Sequence, residues 1–296
     1  MRIAIIVNPV SGRKGRYRAT GELRVAHAHR LIEPLGVEAD VVATSAAGHG
    51  AELSRGFAAR GYDVVMAWGG DGTVNEVAGP LIGTRTALGI IPSGSGDGLA
   101  GSLGLSRDPA AAFTAAVTGE SIAIDVGYLG DRHFVNAAGV GFDAAIAADF
   151  ARSRARGIAG YMTRIMTMIW GYQQQDYEVG LDGARRAGRY LMVAFANGKE
   201  YGNHLVLAPE ASAHDGWLDA VIVDGGPAWR QLLRARRLLF APAAETQGIS
   251  RVRVQSASVR GRRLQCHVDG EPFEATGPLS VRILPGALRV CGLARE

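Results

Sequence analysis

Asp71 stands among glycines in Trp68-Gly69-Gly70-Asp71-Gly72-Thr73-Val74-Asn75-Glu76, directly after the apolar run Tyr62 to Ala67. A strand that empties into glycines and then into a helix start lets backbone N–H groups approach a phosphate with no Cβ in the way. A carboxylate at such a place has no packing role. Beside bound phosphates it needs a divalent cation between the like charges. Ile90 to Ala100 repeats the plan, with Pro92-Ser93-Gly94-Ser95-Gly96-Asp97-Gly98 after a strand. A third segment, Asn8-Pro9-Val10-Ser11-Gly12-Arg13-Lys14-Gly15, offers hydroxyl, backbone and cationic donors to the same kind of anion. Taken alone it reads equally well as a surface turn.

The second half holds acids of a different setting. Pro209 to Asp219 places Asp215 in a tight turn before a strand. One carboxylate among turn carbonyls suits a hard cation, and an Asp-Gly turn between strands accounts for it as well. His267-Val268-Asp269-Gly270-Glu271-Pro272-Phe273 presents two acids at a turn. It reads as a β-hairpin with charged tips, or as a site where Glu271 or Asp269 accepts the proton of an attacking hydroxyl. Ile158 to Trp170 is an unusually wide apolar stretch, read as a core helix with an acyl-chain wall as the alternative. Arg152, Arg154 and Arg156, and then Arg230, Arg234, Arg236 and Arg237, are solvated faces or contacts to anionic headgroups. His27 and His29, at i and i+2, share no helix face and are not read as ligands. Cys266 is read as a small strand residue, since nothing nearby marks a thiolate.

Alternating elements must position these groups. Ile3 to Val7, Val37 to Ala43, Val64 to Ala67 and Ala87 to Ile91 read as strands. Helices are expected over Thr20 to Leu35, Ala51 to Arg60 and Pro109 to Val117, the last capped by Asp108. This order predicts a parallel sheet with ligands gathered at its C-terminal strand ends. From about Ile122 the pattern turns to short strands: Ile122 to Val126, Arg132 to Val140, Tyr177 to Leu181, Tyr190 to Asn197, Trp217 to Val223, Val252 to Val259 and Leu264 to Val268. Helical insertions are expected over Ala144 to Tyr172 and Pro227 to Phe240, within a β-sandwich-like second domain.

At 296 residues, with 47% hydrophobic and 20% charged, the chain is expected to fold as two domains and not to be disordered. A net charge of +4 favours anionic substrates or membrane surfaces and gives no ground for a nucleic-acid partner. Two cysteines make no disulfide framework, which points to a reducing cytoplasm. No apolar run reaches the ~18 residues of a membrane span, so lipid contact is expected to be peripheral.

Taken together the motifs resemble the diacylglycerol kinase catalytic-domain superfamily, with its bacterial diacylglycerol kinases, sphingosine kinases and ceramide kinases. The matching segments are Asn8 to Gly12, Thr44 to Gly50, Gly69 to Val77, Ile91 to Leu103, Asp125-Val126-Gly127, Asn197-Gly198, Pro209 to Leu218 and Asp269-Gly270-Glu271. They keep the family's order and cover nearly the whole chain. The resemblance implies an ATP-binding α/β domain over 1–124, rejoined by 286–296, and a β-sandwich lipid-substrate domain over 125–285. It implies that Asn8, Ser11, Gly12, Thr44, Gly70, Thr73, Glu76 and Ser95 surround ATP, with Gly72 and Gly94 in the same glycine loops. Asp71 then faces phosphates and Mg²⁺, and Glu271 is the general base. Asp215, with Ser212 and Trp217 carbonyls, matches a structural Mg²⁺ site, and Asp125 a carboxylate linked to it. The expected reaction is phosphorylation of a lipid hydroxyl, such as that of diacylglycerol or a sphingoid base, at a membrane surface; a homodimer is left open. The second loop departs from the family: Asp97 takes an Asn position and Gly98 replaces an Asp, and its flanks look closer to the sphingosine kinase loop. An NAD kinase-like enzyme shares Gly-Gly-Asp-Gly, and an inactive lipid- or nucleotide-binding regulator is the remaining alternative.

Overall fold

Ile3-Ala4-Ile5-Ile6-Val7 carries no polar side chain, and the strand it forms is buried throughout. Such a run suits a strand covered on both faces, as in a parallel sheet. The computed structural model describes residues 1–11, 21–152, 158–201, 205–238 and 246–293. The chain divides into two units, Met1–Asp125 with Gly286–Glu296, and Val126–Pro285.

The first unit runs β1 (Arg2–Val7), α1 (Gly21–Ile32), β2 (Glu38–Ala43), α2 (His49–Ala59), β3 (Val64–Gly69), α3 (Asp71–Ala78), β4 (Ala87–Pro92), α4 (Gly98–Ser102) and α5 (Pro109–Thr118), and then enters β5 (Glu120–Leu129). Asp108 caps α5 through the Ala111 N–H at 2.8 Å, with Pro109 at the first helical position. The second unit continues with β6 (Arg132–Phe134), β7 (Ala137–Gly141), α6 (Phe142–Arg152), α7 (Ile158–Gly171), β8 (Gln175–Leu181), β9 (Ala184–Ala196) and β10 (Leu218–Asp224). It ends with α8 (Ala228–Leu238), β11 (Ile249–Val254), β12 (Ser256–Arg260), β13 (Leu264–Val268), β14 (Glu271–Ala275) and β15 (Leu279–Leu293).

In the first unit the strands lie in the order β15-β4-β3-β1-β2, every pair parallel, with the last part of β15 beside β4 through Val290 and Leu88. Ile3, Ile5, Met66, Ile91 and Phe113 fill the core of one face. All β strands therefore deliver their C-terminal loops to one edge. In the second unit the order β14-β13-β7-β9-β8-β12-β15 is antiparallel, with β10 pairing β9 and β11. Phe134, Tyr177, Val193, Phe195, Leu264 and Val281 pack its main core. A second cluster lies where α6, α7 and α8 cover β9 and β10, through Ile146, Ile169, Leu191, Val221 and Leu232.

Three element expectations change. The single strand over Arg132 to Val140 is two, β6 and β7, interrupted at Val135-Asn136. The strand over Val252 to Val259 breaks at Gln255, because the Asp182 carboxylate takes the N–H of Gln255 and of Ser256, at 3.1 and 2.8 Å. The long helical insertion is two helices, α6 and α7. Two strands, β14 and most of β15, had no alternating signal strong enough to read: Pro272 and the Pro285-Gly286 pair interrupt the pattern.

Candidate functional site

In the first unit, side-chain bridges tie together the loops at the C-terminal strand ends. Asn8, after β1, donates from Nδ2 to Thr73 Oγ1 at 2.8 Å, and Thr73 sits in the first turn of α3. Ser11 Oγ meets Ser93 Oγ at 3.0 Å, joining the loops after β1 and β4. Glu76 of α3 accepts the Gly48 N–H at 2.9 Å, fixing the loop after β2, where Thr44 N–H also bonds Val7 O at 2.8 Å. Asp71 Oδ1 accepts the Gly98 N–H at 2.8 Å and so pins the start of α4. Arg24 of α1, largely buried, holds the first loop by donating to Asn8 O at 2.6 Å, to Ser11 Oγ at 2.7 Å and to Ser11 O. Burial pushes its guanidinium below the usual arginine range. Arg24 was not foreseen, because one arginine on an amphipathic helix carries no sequence signal of its target.

At the centre of these loops two glycines face each other. A Cβ on Gly94 would lie 2.7 Å from Gly70 Cα, and one on Gly70 would lie 3.1 Å from Gly94 Cα. Only two residues without side chains let these loops come this close. Asp97 completes the second loop: buried, left-handed at φ 49°, and accepting the Gly94 N–H at 2.9 Å. Burial raises its carboxyl above the ordinary range, against the Gly94 N–H and Arg107, which both favour the ion. Gly72 lies in the first turn of α3, and half-buried Ser95 lies in the Gly94–Asp97 turn. Gly12, with Arg13 and Lys14, falls outside the described residues. Asn8, Ser11, Thr73 and Glu76 thus each tie one strand-end segment to another.

In the second unit the hairpin β13–β14 turns at Asp269-Gly270, both left-handed at φ 46° and 84°, with Val268 paired to Glu271. That is the two-residue hairpin an Asp-Gly pair favours. Its tip is not solvated at Asp269, which is 8% exposed. The carboxylate accepts three backbone N–H groups: Val135 at 2.8 Å through Oδ2, and Asn136 and Ala137, each at 2.9 Å, through Oδ1. This is why β6 and β7 separate: the side chain stands in for a strand there. Asn197 donates to Val135 O and Asn136 to Glu200 O, each at 2.8 Å, closing the same junction. Glu271, first residue of β14, is exposed.

Next to this turn lies a buried polar cluster with no expectation attached to it. Gly270 N–H donates to His267 Nδ1 at 3.3 Å, which places the imidazole proton on Nε2. Nε2 is 2.8 Å from the Tyr201 hydroxyl and 3.2 Å from Asp143 Oδ2, and Tyr201 donates to the same Asp143 oxygen at 2.6 Å. Gly139 leaves the room: a Cβ there would sit 1.8 Å from Asp143 Oδ2. His267→Leu is expected to leave one bond of the buried Asp143 carboxylate unmet, about 1–3 kcal/mol or more for a charged group. At ~2–4 °C per kcal/mol for a chain this long, calorimetry should record a melting point several degrees lower, and an unchanged one would deny the cluster its role.

The other acids are placed as follows. Asp215 takes the Trp217 N–H at 3.0 Å on Oδ1 and pairs with Arg253 through Oδ2, while Ser212 Oγ lies 3.4 Å from His214 Nδ1. Asp125, in the first unit, is buried and accepts the Gly286 N–H at 2.7 Å. Among the described residues no three His, Cys, Asp or Glu side chains gather where a metal ion could be held. His27 packs its ring on Trp68 at 5.5 Å, and burial pushes the Cys266 thiol up to about 12, both consistent with structural roles.

Comparison with known proteins gives a consistent picture. Residues 2–129 match the family model of the diacylglycerol kinase catalytic domain, and residues 136–292 that of the YegS C-terminal NAD kinase beta sandwich-like domain. A probable lipid kinase, YegS-like, of Chromohalobacter salexigens is 36% identical over 227 residues, covering 74% of this chain and 70% of its own. The diacylglycerol kinase of Bacillus subtilis is 28% identical over 277 residues, covering 91% and 89%. The crystal structure of a Bacillus anthracis diacylglycerol kinase superposes with a TM-score of 0.74 at 20% identity, covering 98% of this chain and 96% of that one. At that identity the likeness speaks for the fold.

Proposed function

We propose a reaction for this chain on the premise that it belongs to the diacylglycerol kinase family: transfer of the γ-phosphoryl group of ATP to the hydroxyl of a lipid such as diacylglycerol. The observation that carries the reading is the braced set of loops around the Gly70–Gly94 approach, on one edge of a parallel sheet. Phosphoryl transfer through a loose transition state asks for positioning and charge neutralisation more than covalent chemistry. Loops locked by Asn8–Thr73, Ser11–Ser93, Glu76–Gly48 and Asp71–Gly98 are fixed in place before any ligand arrives, which suits that demand.

The donor set also bears on the metal. Mg²⁺ keeps several waters and is held by one or two carboxylates plus substrate phosphates, so a protein-built cage is not required. Asp71 is the residue that would hold it, where it would neutralise developing phosphate charge. In the second unit the two acids of the hairpin divide their work. Asp269 has its lone pairs directed at three backbone N–H groups, while the exposed carboxylate of Glu271 is the one we assign to accept the lipid hydroxyl proton.

The reading is tested by incubating the protein with labelled ATP and Mg²⁺ and offering diacylglycerol, a sphingoid base, ceramide and NAD in turn. Label in the organic phase is the expected result. Label in NADP would move the assignment to an NAD kinase-like enzyme, and no label at all would leave a binding protein.

Asp97 supplies a second check on the nucleotide loop. Its raised pKa means that the folded state binds this proton more tightly than the unfolded chain does. Its contribution to stability is therefore present below the ordinary carboxylate pKa and lost as pH rises through the folded value. Asp97→Asn keeps an acceptor for Gly94 and removes the buried charge, so it should be more stable than the parent at neutral pH. The gap should close as pH falls toward 4, an approximate bound from the unperturbed Asp value. ATP should also bind at least as tightly, since one negative charge leaves the loop. A variant less stable than the parent at neutral pH would contradict the sign.

A further inference from the structure

Four of the large hydrophobic side chains that the fold leaves exposed lie on two neighbouring helices. Met166 (48% exposed) and Trp170 (67%) stand at i and i+4 on α7, and Trp229 (52%) and Leu233 (52%) at i and i+4 on α8. The two helices pack against each other, and both send the adjacent flank, through Ile165, Ile169 and Leu232, into the same core cluster. The expectation of a core helix over Ile158 to Trp170 is therefore half of the answer. One face packs, and the other presents a methionine and a tryptophan outward.

The charge on α8 itself has one sign. The α8 sequence Ala-Trp-Arg-Gln-Leu-Leu-Arg-Ala-Arg-Arg-Leu holds four arginines and no acid. The Arg230 guanidinium lies over the Trp229 ring at 5.3 Å, so a cation and an indole are presented together. On the neighbouring helices Asp149 of α6 is paired with Arg164 of α7. An indole in company with arginine suits the headgroup level of a bilayer, where the ring is desolvated and the cation meets phosphate. Among the described residues no helix is long and apolar enough to cross a membrane, so such contact lies in the interface plane.

We propose that the outward face of α7 and α8, built from Met166, Trp170, Trp229, Leu233 and Arg230, is the surface by which this protein docks on an anionic lipid bilayer. The inference rests on the reading of the substrate as a lipid, and it adds which face meets the membrane. The occupant is a bilayer and not a second copy, because the arginine-only helix would confront itself across a symmetric contact.

The test uses the full chain, with no ATP and no substrate lipid, so that it does not depend on catalysis. The protein is sedimented with vesicles of phosphatidylcholine alone, and with vesicles of phosphatidylcholine and phosphatidylglycerol in equal parts. Binding to the mixed vesicles only is expected, with a blue shift of tryptophan emission. Trp170→Ala with Trp229→Ala should weaken it on the order of a hundredfold, as expected for losing two large buried side chains. Arg230→Glu should weaken it by about fivefold or more. Because these side chains are exposed, both variants should melt as the parent does, and both should phosphorylate a water-dispersed short-chain diacylglycerol at the parent rate. Equal binding of the double variant to mixed vesicles, or no binding by the parent, would overturn the proposal. So would a parent dimer in ultracentrifugation that the double variant abolishes, since the face would then be a contact between copies. Vesicle binding without kinase activity would refute the reaction and leave this surface standing.

Discussion

Glu271→Gln is expected to lower kcat by about 10²–10⁴-fold, the usual contribution of a general base, while ATP affinity stays within about twofold. The size follows from the chemistry: the amide keeps the shape and one acceptor of the carboxylate, and loses the ability to take the hydroxyl proton. Because Glu271 is exposed at the start of β14, its replacement should leave the melting point where it is. Activity should not be regained at higher pH, since no other carboxylate in the hairpin is placed to substitute. The neighbouring acid, Asp269, is committed to Val135, Asn136 and Ala137. Rapid-quench measurement of the first turnover, with nucleotide binding followed separately by calorimetry, distinguishes this from a binding defect. A Gln variant with the parent's first-turnover rate would take the proton-accepting role away from Glu271.

The layout of the chain was readable where a strong local signal coincides with burial. Ile3 to Val7, Val64 to Ala67 and Ala87 to Ile91 are continuous apolar runs, and continuous runs are what a strand covered on both faces requires. The glycine loops after them were legible for the same reason that they exist: Gly70 and Gly94 each lack a Cβ because the other's backbone occupies that space. The Asp-Gly pair at 269 and 270 likewise announced its hairpin. Long-range side-chain partnerships were not legible. Nothing local joins Arg24 to Ser11, or Tyr201 to His267 and Asp143, since those pairings are made by the fold and not by spacing. The side chains expected around the nucleotide also carry bonds within the fold that spacing does not reveal. Asn8, Thr73 and Glu76 stand where the motif put them, yet their polar atoms brace loops, and a motif names positions without saying to which neighbour a side chain turns.

Asp269→Ala should have the largest effect on stability of any single substitution in the second unit's hairpin. Three backbone N–H groups, at Val135, Asn136 and Ala137, would lose their acceptor at the break between β6 and β7. Each buried donor left unmet costs about 1–3 kcal/mol. Alanine also occupies the left-handed region poorly, which adds roughly 1–2 kcal/mol at a position held at φ 46°. Together these approach the whole of an ordinary domain's stability, about 5–15 kcal/mol. The expected outcome is a second unit that no longer unfolds cooperatively. Asp269→Asn sets the scale. Asparagine tolerates the left-handed turn and keeps an oxygen at Oδ1, where Asn136 and Ala137 donate, but turns an NH₂ toward the Val135 N–H. It should fold, with a lower urea midpoint than the parent, and keep part of its activity because Glu271 is still presented by the same turn. Urea titration followed by far-UV circular dichroism separates the two variants. An alanine variant with the parent's midpoint would show that the junction of β6 and β7 is held by its strands alone, and the assignment of Asp269 to structure and Glu271 to chemistry would lose its physical basis.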